Sequence, residues 1–446
     1  MSKLRAYILC RFAEKSGIYN SWLDDCPIDY EVVDRFLPDW SLPADAGIVI
    51  THMHYRWEEI SLLRRLYQHN RVPVLILADG ILEYRNIFEH PDLADGAIFQ
   101  PVMGHKLACI GRSQTRIVES WGNVGKCELV GIPRLDPFIG TDPEPLRESG
   151  PFRLLIATAS TPAFDERQRE TVLESLRHIS GQLDRQYRIN GRQVKVTWRL
   201  TDGLEMDLGV GSPDLADQRK PLSQVLDDVD AVITTPSTLY LESILKGRPT
   251  AILDFHNTPS YVTSAWMINS SKHFNWTLSE LANPPKPKML FQQAILQEQL
   301  FCAAAKPRML KLIRTMIEIG EKTRREDREL RFPARILEDP QHGFEFVPAE
   351  FDLSQLYENN EAFQLQDVQA LQVELSQAIK RLETLPRELA EKNVYLKEAM
   401  RQLDRLRSRN AELRARVANL RSRLGIQNRD LDGYEKSSES SPQDAQ

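Results

Sequence analysis

Between Ala231 and Asp254 the chain reads AVITTPSTLYLESILKGRPTAILD. An apolar strand at residues 231–233 runs into a Thr-Thr-Pro-Ser-Thr turn. A helix follows that carries Glu242 on its second turn, and Gly247 and Pro249 then lead into another apolar strand ending at Asp254. Two buried strands joined by a helix of this length are parallel neighbours, so the segment commits its part of the chain to a parallel α/β sheet. Ligands of such sheets sit beyond the carboxyl ends of the strands, where helix starts present free N–H groups. Pro236, Ser237 and Thr238 occupy such an end, and Glu242 lies about one turn beyond it.

The same grammar runs through most of the 446 residues. Residues 1–145 alternate apolar strands (6–10, 30–33, 47–51, 72–78, 97–99 and 128–130) with helical patterns. In the helix expected at 57–69, Ile60, Leu63 and Leu66 recur at about one-turn spacing. No GxGxxG follows the first strand, which argues against a dinucleotide site of the Rossmann type. A Pro- and charge-rich joint at 141–151 opens a second half, residues 146–330. Its expected strands are 152–157, 194–200, 231–233 and 250–253. A helix over 165–180 should be capped by Asp165 or Thr161, and a helical run over 290–329 is long enough to pack back across both halves. The fold expected is α/β: two Rossmann-like, doubly wound domains facing a cleft.

Residues 331–364, with Pro333, Pro340 and Pro348, read as a linker. Over 365–425 a heptad pattern takes over. Val368, Leu375, Leu382, Leu389, Leu396, Leu403, Asn410, Val417 and Leu424 fall seven apart, and Leu371, Ala378, Leu385, Lys392, Ala399, Leu406, Leu413 and Leu420 hold the complementary core position. This is the pattern of a coiled coil, with Pro386 as a kink that leaves the phase intact. From Leu396 to Leu424 nine Lys and Arg stand against three Asp and Glu, a net charge of +6. These arginines suit an acidic partner helix, an anionic membrane surface or, with screening, a second copy. Residues 426–446 are Ser- and acid-rich and should be disordered.

The net charge of −6 argues against binding nucleic acid over the whole surface. Five cysteines, Cys10, Cys26, Cys109, Cys127 and Cys302, show no CxxC spacing and suit a reduced, cytoplasmic setting as buried apolar groups. The N-terminal apolar run is too short for a signal peptide, and no window approaches a membrane span, so any membrane contact is expected to be peripheral, at the inner face.

The residues 231–254 resemble the donor-domain signature of sugar transferases with the GT-B fold, and VGIPRLD at 130–136 resembles the Gly-x-Pro-Arg-x-Asp segment of bacterial capsule-type and teichoic-acid-type transferases. The resemblance implies a glycosyl- or glycerophosphotransferase of surface polysaccharide assembly. Its donor would be a nucleotide-activated sugar or glycerol serving as co-substrate, with no further cofactor, and its acceptor a saccharide or polyprenyl-linked hydroxyl. Glu242 would hold the ribose or sugar hydroxyls, and the turn at Pro236, Ser237 and Thr238 would meet the diphosphate.

Transfer to a hydroxyl needs a base and a counter-charge for the departing diphosphate. Strand-end geometry offers Arg199 as the cation and Thr158, Ser160 and Thr161 beside it, while Asp254 and His256 end another strand. For the base, Asp79, in an Asp-Gly pair after a buried strand, comes first and His54 second. The His52-Met53-His54 pair lacks further ligands at metal-binding spacing, and no metal is expected. Arg134 and Asp136 either pin the interdomain joint or touch substrate. Two rivals share the scaffold: a nucleotide-sugar epimerase, and a catalytically inactive body that recruits partners through its coiled coil.

Overall fold

A computed structural model describes residues 4–10, 15–33, 40–52, 54–69, 72–93, 96–141, 146–147, 149–185, 188–211, 215–216, 220–338, 392–394, 396–420 and 422. The chain divides into two units, Met1–Leu353 and Ser354–Gln446.

The first unit holds two sheets. Strands β1 (Arg5–Leu9), β2 (Asp29–Val33), β3 (Ala46–Thr51), β4 (Val74–Leu77), β5 (Lys106–Cys109) and β6 (Cys127–Leu129) lie in the order β2-β1-β3-β4-β5-β6, all parallel. Strands β7 (Phe152–Ala157), β8 (Arg188–Ile189), β9 (Arg192–Arg199), β10 (Ala231–Thr234), β11 (Thr250–Leu253) and β12 (Trp266–Ile268) lie in the order β12-β11-β10-β7-β9-β8. Here β8 alone runs antiparallel, joined to β9 by Asn190-Gly191, whose φ values of 49° and 80° are those a two-residue hairpin turn requires. With β8 set aside, both sheets share one winding order, and each reverses its direction of growth once, between β1 and β3 and between β7 and β10. Such switch points open a crevice at the carboxyl ends of the strands. This is the expected pair of doubly wound domains.

The central strands β3, β4, β5, β10 and β11 are buried at every residue, as parallel strands covered on both faces must be. Helix Trp57–His69 covers one face of the first sheet with Leu62, Leu63 and Leu66. The other face is covered by the last helix of the second half, Ala305–Arg325, through Met309, Leu312, Ile313, Met316 and Ile317 against Ile8, Ile48, Ile50 and Leu75. Each such side chain contributes about 1.5–3 kcal/mol on burial. The expected run over 290–329 therefore does return across the body, but as two helices, Lys286–Gln299 and Ala305–Arg325, separated by Leu300 in extended conformation. Asp136 holds the start of the second one: its carboxylate oxygens accept from the Ala305 and Lys306 N–H groups, both at 2.8 Å. Gly131, at φ 97°, lets this segment close in, since a Cβ there would lie 2.9 Å from that of Ala305. Asp136 is thus a helix cap that joins the two halves.

Three strands, β5, β8 and β12, escape the sequence pattern. Residues 97–99 form a tight turn with Phe99 at φ 65°, and the fifth strand is Lys106–Cys109 instead. Lys106 disguises it, because its charge is neutralised inside the protein. Lys106 Nζ lies 2.7 Å from Glu128 Oε1, with the two side chains 0 % and 1 % exposed. The ammonium also donates to the carbonyls of Gly125, Pro333 and Ala334, and Glu128 accepts from the Ile336 and Leu337 N–H groups at 2.8 and 2.9 Å. Residues 333–337, expected as linker, are clamped to the edge of the first sheet. The other unforeseen strands, β8 and β12, have two and three residues. The helix at 166–185 is capped by Asp165, which accepts from the Gln168 N–H at 2.7 Å. Cys10, Cys109 and Cys127 are buried as expected, whereas Cys26 is half-buried and Cys302 is exposed.

In the second unit, residues 392–394 and 396–420 are helical, and their heptad leucines are exposed. The rest of the expected coiled coil before 392, the linker from 339 and the tail from 426 lie outside the described residues. Among the described residues no helix is long and apolar enough to cross a membrane.

Candidate functional site

Strand ends of both sheets border one cavity of about 550 Å3, and the expected donor residues Thr158, Arg199, Pro236, Ser237, Thr238, Glu242, Asp254 and His256 are not among those that line it. The first sheet contributes His52 and His54, which follow β3, and Asp79 and Gly80, which follow β4; the second contributes Ser160 and Thr161, which follow β7. The two residues expected as candidate bases therefore line the same space as two residues expected near the donor. At Gly80 the domains meet closely, since a Cβ there would lie 2.3 Å from Thr238 Oγ1. The Asp-Gly pair after β4 thus serves interdomain approach as well as presentation of the carboxylate.

His54 is 4 % exposed and rests on the Phe99 ring at 4.7 Å, and its Nδ1 is buried without a hydrogen-bond partner among the described residues. Burial, and then the neighbouring His52, pushes its pKa down to about 3, so the imidazole is neutral at pH 7. The Tyr19 hydroxyl accepts from the His52 backbone N–H at 3.0 Å and lies 2.8 Å from His52 Nδ1. Tyr19 gave no signal in the sequence, because nothing in its local pattern indicates the strand end it reaches.

A second group forms around Glu242. Arg134 Nη2 lies 3.1 Å from Glu242 Oε1, while Arg134 Nη1 is buried without a partner among the described residues. Burial raises the Glu242 pKa, against the pull of Arg134 and then Arg199. Arg199 ends β9 and donates to the Lys220 carbonyl at 3.1 Å. The Ser-Thr turn does not cap its helix: Thr238, at the N-cap of Leu239–Leu245, makes no side-chain cap bond, and Ser237 Oγ lies 3.2 Å from Thr234 Oγ1. Thr158 is turned to Thr201, with hydroxyl oxygens 2.9 Å apart, and ties the ends of β7 and β9.

A third group is an interdomain strut. Arg85, 4 % exposed, donates to the Pro162 carbonyl at 3.0 Å and to His256 Nε2 at 2.9 Å. Burial and then Arg85 depress His256 to about 4, and Asp254 accepts from the His256 N–H at 3.0 Å. Burial also raises the Asp254 pKa. Pro236 borders this group with Asp254 and His256. Glu83 is occupied as well, capping helix Tyr84–Phe88 through the Asn86 N–H at 2.7 Å and pairing with Arg85 Nε at 2.8 Å. Arg85 is the residue whose importance sequence reasoning missed, as its partners lie in the other domain.

These buried imidazoles make the fold acid-sensitive. Burial, and then Lys126, depresses His105 to about 3, as with His54. Both stay neutral in the folded chain, while the unfolded chain takes up their protons below about pH 6.5. Stability is therefore complete above that pH and is lost as pH falls towards 3. At pH 5 the loss is about 2 kcal/mol for each of the two. Urea unfolding at pH 7.5 and pH 5 measures it, and equal midpoints would contradict it.

No family model and no curated protein matches the sequence. Among solved structures the chain is similar to S. aureus MnaA in a co-structure with UDP, at 9 % identity over 71 % of this chain and 97 % of that one, with a TM-score of 0.49. A putative UDP-N-acetylglucosamine 2-epimerase from Listeria monocytogenes matches at 12 % identity over 71 % and 97 %, with a TM-score of 0.48. The wall teichoic acid polymerase TagF matches at 11 % identity over 71 % and 89 %, with a TM-score of 0.42. At these scores the fold assignment rests on the two strand orders and not on the matches.

Proposed function

We propose that the chain transfers a glycosyl or glycerophosphoryl group from a nucleotide-activated donor to a hydroxyl of a surface polysaccharide or its precursor. The observation that supports this reading is the shared cavity, lined by residues that follow β3 and β4 of the first sheet and β7 of the second. The second domain holds the donor. Glu242 takes its ribose or sugar hydroxyls; Ser237, Thr238 and Arg199 face its diphosphate; Thr158, Ser160, Pro236, Asp254 and His256 form the surrounding wall. The acceptor, a saccharide or polyprenyl-linked alcohol, enters from the first domain. In glycosyl transfer the acceptor O–H gives its proton to Asp79, the acceptor oxygen bonds to the anomeric carbon, and the bond from that carbon to the diphosphate oxygen breaks. The nucleoside diphosphate leaves with that electron pair, its charge met by Arg199. His54, the alternative base, is a neutral hydrogen-bond acceptor on the same cavity wall.

Thermal unfolding of the full chain across a panel of nucleotides and nucleotide sugars tests this. A donor at a hundred times its Kd should stabilise the fold by about 2.7 kcal/mol. Glu242→Ala should lose that gain while keeping the ligand-free midpoint within a few degrees. A flat panel with folded protein favours the inactive scaffold, and epimer formation without an acceptor favours the epimerase.

A further inference from the structure

Helix Lys286–Gln299 has its polarity inverted. Its buried face carries Gln292 and Gln299 beside Ile295 and Leu296. Gln292 is tolerated there because its amide is satisfied: Oε1 accepts from the Thr250 N–H and Nε2 donates to the Arg248 carbonyl, both at 2.9 Å. The outer face is apolar. Pro287, Leu290, Phe291 and Ala294 are exposed, at the i, i+3, i+4, i+7 spacing that puts them on one stripe. Leu290 is 63 % and Phe291 48 % exposed. Trp276, on the preceding helix Phe274–Ala282, is 71 % exposed and extends the patch, since Lys288 Nζ lies 5.5 Å from its ring centroid. Large apolar side chains gathered on an outer surface mark a contact with something else.

The charges around the patch point to its partner. Lys272 stands about one turn before Trp276, and Lys286 one turn before Leu290, so each of these exposed lysines flanks an exposed apolar side chain. Between Ser271 and Ala294 the sequence holds three lysines and one acid, Glu280. That acid is already engaged: it pairs with Lys288 and accepts from the Trp266 indole N–H at 2.8 Å. We propose that this patch seats the protein on an anionic lipid surface. Trp276, Leu290 and Phe291 enter the headgroup layer, where an indole and short apolar groups are both accommodated, while Lys272 and Lys286 meet the lipid phosphates. A second copy of the chain suits the patch less well, because two such surfaces pressed together bring the lysines of one against those of the other. The inference goes beyond the transferase reading and uses none of its residues.

A label within the patch tests this in the full chain. Leu290→Cys, combined with Cys26→Ser and Cys302→Ser so that the other cysteines are buried, carries an environment-sensitive fluorophore. Vesicles of phosphatidylcholine with phosphatidylglycerol should shift its emission to the blue and protect it from acrylamide quenching. Vesicles of phosphatidylcholine alone should do so only at much higher lipid concentration. Protein that sediments with the anionic vesicles while its label stays fully quenchable binds through another surface, such as the basic helix 396–420, and overturns the proposal. Absence of any binding overturns it too. So does a blue shift that needs no vesicles and grows with protein concentration, which would place a second copy on the patch. Lys272→Gln with Lys286→Gln should raise the lipid concentration at half-shift about 25-fold, roughly fivefold for each lysine, with the thermal midpoint unchanged. An unaltered half-shift in that variant would overturn the assignment to anionic lipid.

Discussion

Asp79→Asn is expected to lower the rate of transfer by about 10²–10⁴-fold while leaving the donor's thermal stabilisation intact. Asparagine keeps the size of the side chain but cannot take the acceptor's proton. It also leaves Gly80 in place, so the approach of Thr238 is undisturbed. The proposed donor residues Arg199, Glu242 and Ser237 belong to the second domain, so loss of the base should fall on kcat and not on donor binding. Parallel measurement of turnover and donor-induced stabilisation separates the two. Full turnover in Asp79→Asn, with loss in His54→Asn, would transfer the base's role to His54.

The largest change in stability is expected from Glu128→Ala. It removes the one carboxylate that pairs with Lys106 at the floor of the first sheet, and burial already pushes the Lys106 pKa down. An ammonium left there without its counter-ion typically costs about 3–5 kcal/mol. The Ile336 and Leu337 N–H groups lose their acceptor at the same time. Lys106→Met combined with Glu128→Met should recover most of the loss, because it removes both desolvated charges together. Denaturant midpoints of the single and double variants measure this, and a single variant within about 1 kcal/mol of the parent would contradict it.

The sequence was most legible where one physical cause acted alone. The long apolar strands β3, β4, β7, β10 and β11 stood out because both faces of each are covered. Strand β5 was hidden by Lys106, whose partner lies on the next strand and whose polarity therefore looks local when it is not. The turn at 97–99 misled because Ala-Ile-Phe has strand composition, while its backbone is set by packing under His54. At the site, strand ends marked the residues that reach the cavity, since direction along a strand is readable from one segment. The pairings Arg134–Glu242 and Arg85–His256 were not legible, because they join residues of different domains and depend on how the two sheets meet.

The clamp on residues 333–337 also has a mechanical meaning. Everything after residue 338 is connected to the body through a strip held by four main-chain bonds at 2.6–3.0 Å and one buried ion pair, all rooted in the first sheet. Tension along the chain from beyond residue 338 would be delivered to the edge of the first sheet, at β5 and β6. The strip also touches the last helix of the second half, where Arg308 Nη2 donates to the Glu338 carbonyl at 3.0 Å, so a pull arriving at residue 338 is shared between the first sheet and the helix that covers it.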